Sequence, residues 1–341
     1  MVVFLAGWLI AACVGRGSAL LPRPLAVPNS SSPVEVSLGA AASDPTGSGP
    51  PTRRRAQPRF FFAGSGRLKL SHAHFAERLD VRYRRADGTY DETALAQIRH
   101  FFRSREDGRE GPIALRLIEL LGYVQDHFHP RQMTLLSGYR SPEFNADLRA
   151  AGQKAAQASL HTEGLAADIV LTGIDQKRLW RQLRDLQIGG AGYYKTGHFL
   201  HIDTGKSRFW EETTSRVDEN LAAGNARVFL RTDFDRYPNL SGAILSLHSV
   251  TAFPLRIAAE ARVVTGSSAV TVRLAPARGA VSRDGCLSID APADAYELRV
   301  VAAASAAATG GRGDIVLTTC EPRIERTPPE IESNAIEITR R

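Results

Sequence analysis

Two short runs constrain this chain more than any other stretch. LAADIVL at 165–171 and HFLHIDTG at 198–205 alternate in character along their length, so each is predicted to be a strand with two unlike faces. Ala166, Asp168 and Val170 share one face of the first, and Phe199, His201 and Asp203 share one face of the second, with Leu200 and Ile202 opposite. His161 lies on the loop that feeds the first strand, where Gly164 permits a sharp turn and Ala166 leaves room beside Asp168. Side by side, such strands would aim two imidazoles and a carboxylate at one ion. Three protein ligands with a fourth position left for water is the pattern of catalytic zinc, whereas structural sites are closed and rich in cysteine. One Zn2+ held by His161, Asp168 and His201 is therefore expected, with water in the open position made acidic enough to react near neutral pH.

The surrounding pattern predicts an α+β domain, because helices and strands mix without a βαβ rhythm. RLKLS and RLDVRY read as a hairpin. DETALAQIRHFF, with Asp91 as its cap, repeats Leu95, Ile98 and Phe102 at helical spacing, and GPIALRLIELLGYVQDHF does the same with Leu117, Leu121, Val124 and Phe128. SPEFNADLRAAG reads as a helix opened by Ser141 and Pro142 and closed by Gly152, and KRLWRQLRDL as a further helix. Beyond residue 225 the texture changes to short β-prone runs divided by Gly, Pro, Ser and Asp, the pattern of a small all-β domain, sandwich-like or a barrel.

The N-terminus runs apolar from Val2 to Val14, too short for a membrane span and of the length of a secretory signal core, although no positive leader precedes it. LIAAC also fits a lipoprotein signal in which Cys13 becomes the lipidated first residue, and cleavage near Ala19 is the alternative. Residues 25–58, rich in Pro, Ser, Gly and Ala, read as a disordered tether. The expected organisation is thus a signal at 1–24, a linker at 25–58, a domain carrying the expected zinc ligands at 59–225 and a β-rich domain at 226–341, exported to the periplasm or cell envelope. Export would allow Cys286 and Cys320 to bridge. The 43 Lys and Arg against 36 Asp and Glu leave a net charge of +7, a mild basic bias without the aromatic-basic patch of a nucleic-acid binder.

Four segments in order, SGYRSPEFNADLR, SLHTEGLAADIVL, GGAGYY and FLHIDTG followed by RFW, resemble the zinc D-alanyl-D-alanine carboxypeptidase family, and most closely its bacterial murein endopeptidase branch. The likeness covers about residues 60–215. It implies a hedgehog/DD-peptidase-like fold, hydrolysis of peptide bonds in peptidoglycan stem peptides or cross-links, and His161, Asp168 and His201 as zinc ligands. It also implies that Arg140 contacts the substrate and steadies charge on the scissile carbonyl, as a permanently charged multiple donor would. Several relatives carry an acidic residue three positions before the last ligand, where this chain has His198. His198 is therefore weighed as the base, beside Asp203, which would either move protons or orient His201, and Glu163, two residues from a ligand. Tyr193 and Tyr194 are candidates for the substrate groove, approached closely across the glycines before them. The missing acid at 198 also suits a competing reading, a non-catalytic module that keeps zinc for its fold and binds wall peptides or a protein partner. The histidine pairs His72/His74 and His127/His129 read as structural or exposed, and Arg312–Asp314 as part of a turn.

Overall fold

A computed structural model describes residues 58–152, 159–205, 207–214, 228–249, 255–289, 296–303, 311–323 and 327–339. The expected signal, Cys13 and all of the tether but Pro58 lie outside the described residues. The architecture is mixed α/β with a sheet-rich C-terminal region.

The first sheet is built from β1 (Arg67–His72), β2 (Arg78–Arg82), β3 (Gln132–Ser137), β4 (Ala166–Thr172), β5 (Gly190–Tyr194), β6 (Phe199–Asp203) and β7 (Arg208–Glu211), in the order β2-β1-β3-β4-β6-β5-β7. Four helices accompany it: α1 (Glu92–Phe101), α2 (Leu115–Phe128), α3 (Pro142–Ala150) and α4 (Gln176–Asp185). Their starts follow local chemistry. The Asp91 carboxylate accepts from the Ala94 N–H at 3.0 Å, Asp175 from Arg178 at 3.0 Å and the Ser141 hydroxyl from Phe144 at 3.1 Å, each satisfying an amide that the first turn leaves free.

Leu117, Leu121 and Val124 of α2, Leu95 and Ile98 of α1, and Leu179 and Leu183 of α4 share one core with Ala167, Ile169 and Leu171 of β4 and Leu200 and Ile202 of β6. Each large aliphatic side chain buried there stabilises the fold by about 1.5–3 kcal/mol. Because strand residues alternate, this burial turns Asp168 and His201 to the opposite face, so the hydrophobic pattern itself presents the polar groups.

The C-terminal region comprises β8 (Val228–Thr232), β9 (Arg236–Tyr237), β10 (Ile244–Ser249), β11 (Leu255–Thr265), β12 (Ser268–Pro276), β13 (Cys286–Ile289), β14 (Tyr296–Ala303), β15 (Gly311–Thr319), β16 (Glu330–Glu332) and β17 (Ile336–Ile338). Hydrogen bonding joins all ten into one sheet rather than the two separate sheets of a simple sandwich. The long β11 organises it, pairing with β13 through Leu255–Ala258, with β12 through Glu260–Thr265 and with β15 along its other edge. Arg312–Asp314 lie within β15, not in a turn, since Arg312 pairs with Glu337. Cys286 and Cys320 form a disulfide with Cα atoms 6.4 Å apart.

Buried polar bonds tie the two sheets together. Arg116 of α2 donates to Asp235 at 2.6 Å and to the Thr232 carbonyl at 3.1 Å, and the other Asp235 oxygen accepts from the Phe61 N–H at 2.9 Å.

Candidate metal centre

A single row of residues crosses five strands of the first sheet. Ser137 of β3 stands opposite Asp168 of β4, Asp168 opposite His201 of β6, His201 opposite Gly192 of β5, and Gly192 beside Trp210 of β7. Partners in register share a sheet face, so their side chains meet on the side away from the core. His161 arrives at this row from the loop before β4. Gly164 makes that approach possible: its φ is +65°, and a Cβ there would stand 1.7 Å from the Pro112 carbonyl oxygen.

His161 Nε2, Asp168 Oδ1 and His201 Nδ1 converge, with separations of 3.2 Å between the two nitrogens, 2.9 Å from His201 to Asp168 and 3.4 Å from His161 to Asp168. Ligand atoms about 2.0–2.2 Å from a tetrahedral ion stand about 3.3–3.5 Å from one another, so this triangle is nearly the right size to hold one. The outer atom of each group is already engaged. His161 Nδ1 lies 2.8 Å from the Gly138 carbonyl, His201 Nε2 lies 3.1 Å from Asp203 Oδ2, and Asp168 Oδ2 accepts from Arg140 Nη2 at 2.8 Å. Placing the ring protons on those outer nitrogens leaves lone pairs on the inner ones. With that assignment three acceptors face one another, a set suited to a cation, and they are the one group of metal-capable side chains found among the described residues.

Electrostatics point the same way. Burial disfavours charge on His161, and the nearby Arg140 guanidinium adds to this, so its pKa is lowered. Burial opposes ionisation of Asp168 as well, yet His161, His201 and Arg140 together hold it well below the ordinary carboxylate range. For His201 burial is outweighed by the Asp168 and Asp203 carboxylates on either side of the ring, which favour positive charge at that place. Side chains of His161, Asp168 and His201 are 3%, 8% and 12% exposed, so His201 is the most exposed of the three.

The other expected site residues divide. Arg140 is drawn to the candidate metal site: its Nε donates to Ser137 Oγ at 3.0 Å while Nη2 donates to Asp168 at 2.8 Å. Asp203 is fully buried and saturated. Besides His201 it accepts from the amides of Gly190 at 3.2 Å and Gly205 at 2.7 Å and pairs with Arg208 at 2.9 Å. Although burial opposes it, the Arg208 charge and the His201 bond depress the Asp203 pKa strongly, so the carboxylate stays ionised beside His201. His198 is exposed at the turn between β5 and β6 with φ +52°, outside the row of facing residues, and Glu163 is half-buried in the loop after His161.

Adjacent tyrosines on one strand face opposite ways. Tyr194 pairs with Phe199 on the His201 face, its ring stacked on Phe199 at 4.4 Å and its hydroxyl accepting from Trp210 Nε1 at 3.1 Å. Tyr193 pairs with Leu200 and packs against the core, so its expected place in the groove is not met. The glycines before them serve side chains of the protein itself. A Cβ on Gly190 would stand 2.0 Å from Asp203 Oδ2, and one on Gly192 would stand 2.4 Å from the Trp210 ring, which lies 5.3 Å from His201. Trp210, Arg208 and Gly138 lie in motifs legible in the sequence, but no role was assigned to them there. A strand glycine opposite a histidine, with an aromatic residue on the next strand, is the pattern that would have pointed to Trp210. A cavity of about 450 Å³ lined by residues such as Arg116, Ile188, Thr204 and Asn334 includes none of the three ligands.

The donor set, two imidazoles and a carboxylate with oriented outer atoms on one face of a sheet, is that of a metallopeptidase centre. Residues 62–210 match the family model described as peptidoglycan L,D-endopeptidase MepK. The MepK of Escherichia coli K12 is 34% identical over 144 residues, covering 42% of this chain and 79% of that relative. The Shigella flexneri MepK is likewise 34% identical over 144 residues, with the same shares of 42% and 79%, and a probable MepK of Haemophilus influenzae is 27% identical over 146, covering 42% of this chain and 78% of that relative. No solved structure matches the chain. The chain belongs to the MepK family of peptidoglycan endopeptidases, metallopeptidases of the DD-peptidase type. The ten-stranded sheet lies outside the matched stretch.

Proposed function

We propose that this protein is a zinc endopeptidase that hydrolyses L,D-peptide bonds in peptidoglycan, the bond that its relatives' name specifies. The observation that carries the reading is the convergence of His161 Nε2, Asp168 Oδ1 and His201 Nδ1 with each outer atom held by another group. Two nitrogens and one oxygen with an open fourth position suit zinc among the common ions. When bound, that ion would polarise the scissile carbonyl and lower the pKa of a water molecule.

The chain's own residues prepare this chemistry. Gly138 and Asp203 fix the rings so that one lone pair of each histidine faces inward, and Arg140 holds the Asp168 carboxylate at the angle the site needs. Arg208 keeps Asp203 ionised while its guanidinium lies 5.2 Å from the centre of the Trp210 ring. Trp210, Tyr194 and Phe199 form an aromatic wall beside His201 against which a peptide would lie and which keeps bulk water away.

The same reading places the protein outside the cytoplasm, with residues 1–24 as its export signal and Cys13 as the lipid attachment point if that signal is of the lipoprotein kind. The disulfide supports an oxidising compartment, and no helix among the described residues is long and apolar enough to cross a membrane. A division near residue 225 and a hedgehog/DD-peptidase-like arrangement of the first sheet belong to it as well.

The test is digestion of purified muropeptides with and without a chelator, followed by mass spectrometry. New products separated at an L,D-bond, abolished by the chelator and restored by Zn2+, are expected. Intact muropeptides with metal-loaded protein would instead favour a wall-binding module that keeps the metal for its fold.

A further inference from the structure

Arg231 of β8 is a cation removed from water, with 6% of its surface exposed. Its Nη1 makes two hydrogen bonds to a single residue, one to the Thr204 carbonyl at 2.7 Å and one to Thr204 Oγ1 at 2.9 Å. Thr204 directly follows Asp203, and its N–H donates to the Leu165 carbonyl at 3.0 Å, with Oγ1 3.4 Å from the same oxygen. Leu165 closes the His161 loop through its own N–H to Leu160 at 2.9 Å and leads into β4, where Asp168 lies. One clasp, Thr204 on Leu165, thus joins the segment carrying His161 and Asp168 to the strand carrying His201 and Asp203. Arg231 reaches over from the other sheet and holds that clasp.

The arrangement is costly. Burial, reinforced by the like charge of Arg116, pushes the Arg231 pKa down to about 10, and its Nε has no hydrogen-bond partner among the described residues. An aliphatic residue would fill such a place without the desolvation cost of a guanidinium. What only the guanidinium supplies is the pair of directed bonds to Thr204.

We propose that Arg231 is a positioning residue of the metal centre: by gripping Thr204 it sets the spacing between the His161–Asp168 segment and the His201–Asp203 strand, which makes the C-terminal sheet a working part of the site. This rests on the metallopeptidase reading above. The sheet then takes part in the site, because the family-matched stretch would lack its brace without it.

The test compares full-length wild-type protein with Arg231→Met, Arg231→Lys and Thr204→Val. Zn2+ affinity is read by chelator competition, site geometry from the visible absorption of the Co2+-loaded protein, kcat and KM on a muropeptide, and stability by thermal unfolding. Arg231→Met is expected to lose about 10- to 100-fold in Zn2+ affinity, the size of effect seen when outer-shell partners of metal ligands are removed. Its Co2+ spectrum should shift at temperatures where the protein is fully folded, and kcat should fall while KM changes little. Arg231→Lys should recover part of each loss. Unchanged Zn2+ affinity, Co2+ spectrum and kcat in Arg231→Met would overturn the inference even if the protein melted earlier. Should Arg231→Met fail to fold, Thr204→Val decides: wild-type affinity and spectrum there would overturn it equally. Wild-type protein that binds neither ion would sink the metallopeptidase reading itself, whereas normal wild-type binding with unperturbed variants sinks only the role of Arg231.

Discussion

Arg140 Nη2 donates to Asp168 Oδ2 at 2.8 Å while its Nε donates to Ser137 Oγ at 3.0 Å, so one guanidinium fixes a carboxylate of the candidate metal site to the neighbouring strand. A lysine keeps the charge but not the planar fork that serves both partners. Arg140→Lys is therefore expected to weaken metal binding by about tenfold or more and to lower kcat with it. Chelator competition and steady-state kinetics check this. A raised KM with unaltered metal affinity would show that the residue serves the substrate alone.

Asp203 is the counterpart of Arg140 on the other side of the site. It faces His201 Nε2 at 3.1 Å and is itself held by Arg208 and two backbone amides. Asp203→Asn preserves the volume and removes the charge. Metal affinity should fall by about 10- to 100-fold, as for other carboxylates behind ligating histidines. Metal content after dialysis against a graded series of chelator concentrations is the readout, and wild-type retention would contradict the orienting role.

Gly164 tests the backbone rather than a side chain. At φ +65° a Cβ carries a penalty of about 1–2 kcal/mol from the left-handed conformation alone. The 1.7 Å approach to the Pro112 carbonyl adds an overlap that only movement of the loop relieves. Gly164→Ala is expected to displace His161, lower the melting temperature by several degrees and abolish tight metal binding. A variant that melts and binds as the wild type does would show that the loop has room to spare.

Two members of the candidate metal site were readable as facing groups because alternation in a strand is local: Asp168 and His201, like Asp203, announce their faces by their apolar neighbours, whereas His161 sits on the loop before the strand, where alternation gives no face. The same rule, applied strictly to Tyr193 and Tyr194, allows only one of them on the site face, and the structure puts Tyr194 there. Arg140 was legible as a site residue but not as a partner of Asp168, because that depends on how β3 meets β4 across an irregular register near Leu135–Ser137. Trp210 reaches His201 only across Gly192 on an intervening strand, and Arg231 comes from a second sheet. Such contacts follow from tertiary packing, on which periodicity is silent. In the C-terminal region the strands were legible, but not their union in one sheet, since turns and alternation do not say which edges pair.

His72 supplies a pH prediction away from the metal. It is buried against Phe75 and Phe101, with Nδ1 3.1 Å and 3.3 Å from the amides of His74 and Phe75. Burial, with the positive charges of His74 and Arg103, lowers its pKa from 6.5 to about 4. In the unfolded chain the ring takes up a proton near pH 6.5 while the native ring does not. Its contribution to stability is therefore complete above that pH and is lost as the pH falls toward about 4. His72→Asn retains an acceptor and does not titrate, so its urea midpoint should decline less steeply than that of the wild type between about pH 7 and pH 4.5. Parallel curves would mean that His72 titrates alike in both states.

The disulfide yields a prediction that separates stability from the site. Cys286 pairs with Ala258 on one edge of β11, and Thr319, next to Cys320, pairs with Ile257 on the other, so the bridge passes across the strand that organises the sheet. It links residues 34 apart in sequence. Closing a loop of that size in the unfolded chain stabilises the native state by about 3–4 kcal/mol on the chain-entropy account. The double variant Cys286→Ala/Cys320→Ala should lose most of this in urea denaturation. Under conditions where it remains folded its metal affinity should stay near that of the wild type, because none of the ligands, nor Arg231, touches the bridge. Loss of metal affinity in the folded double variant would mean that the far end of the C-terminal sheet also helps to set the site, and an unchanged urea midpoint would mean that the unfolded chain is as confined without the bridge as with it.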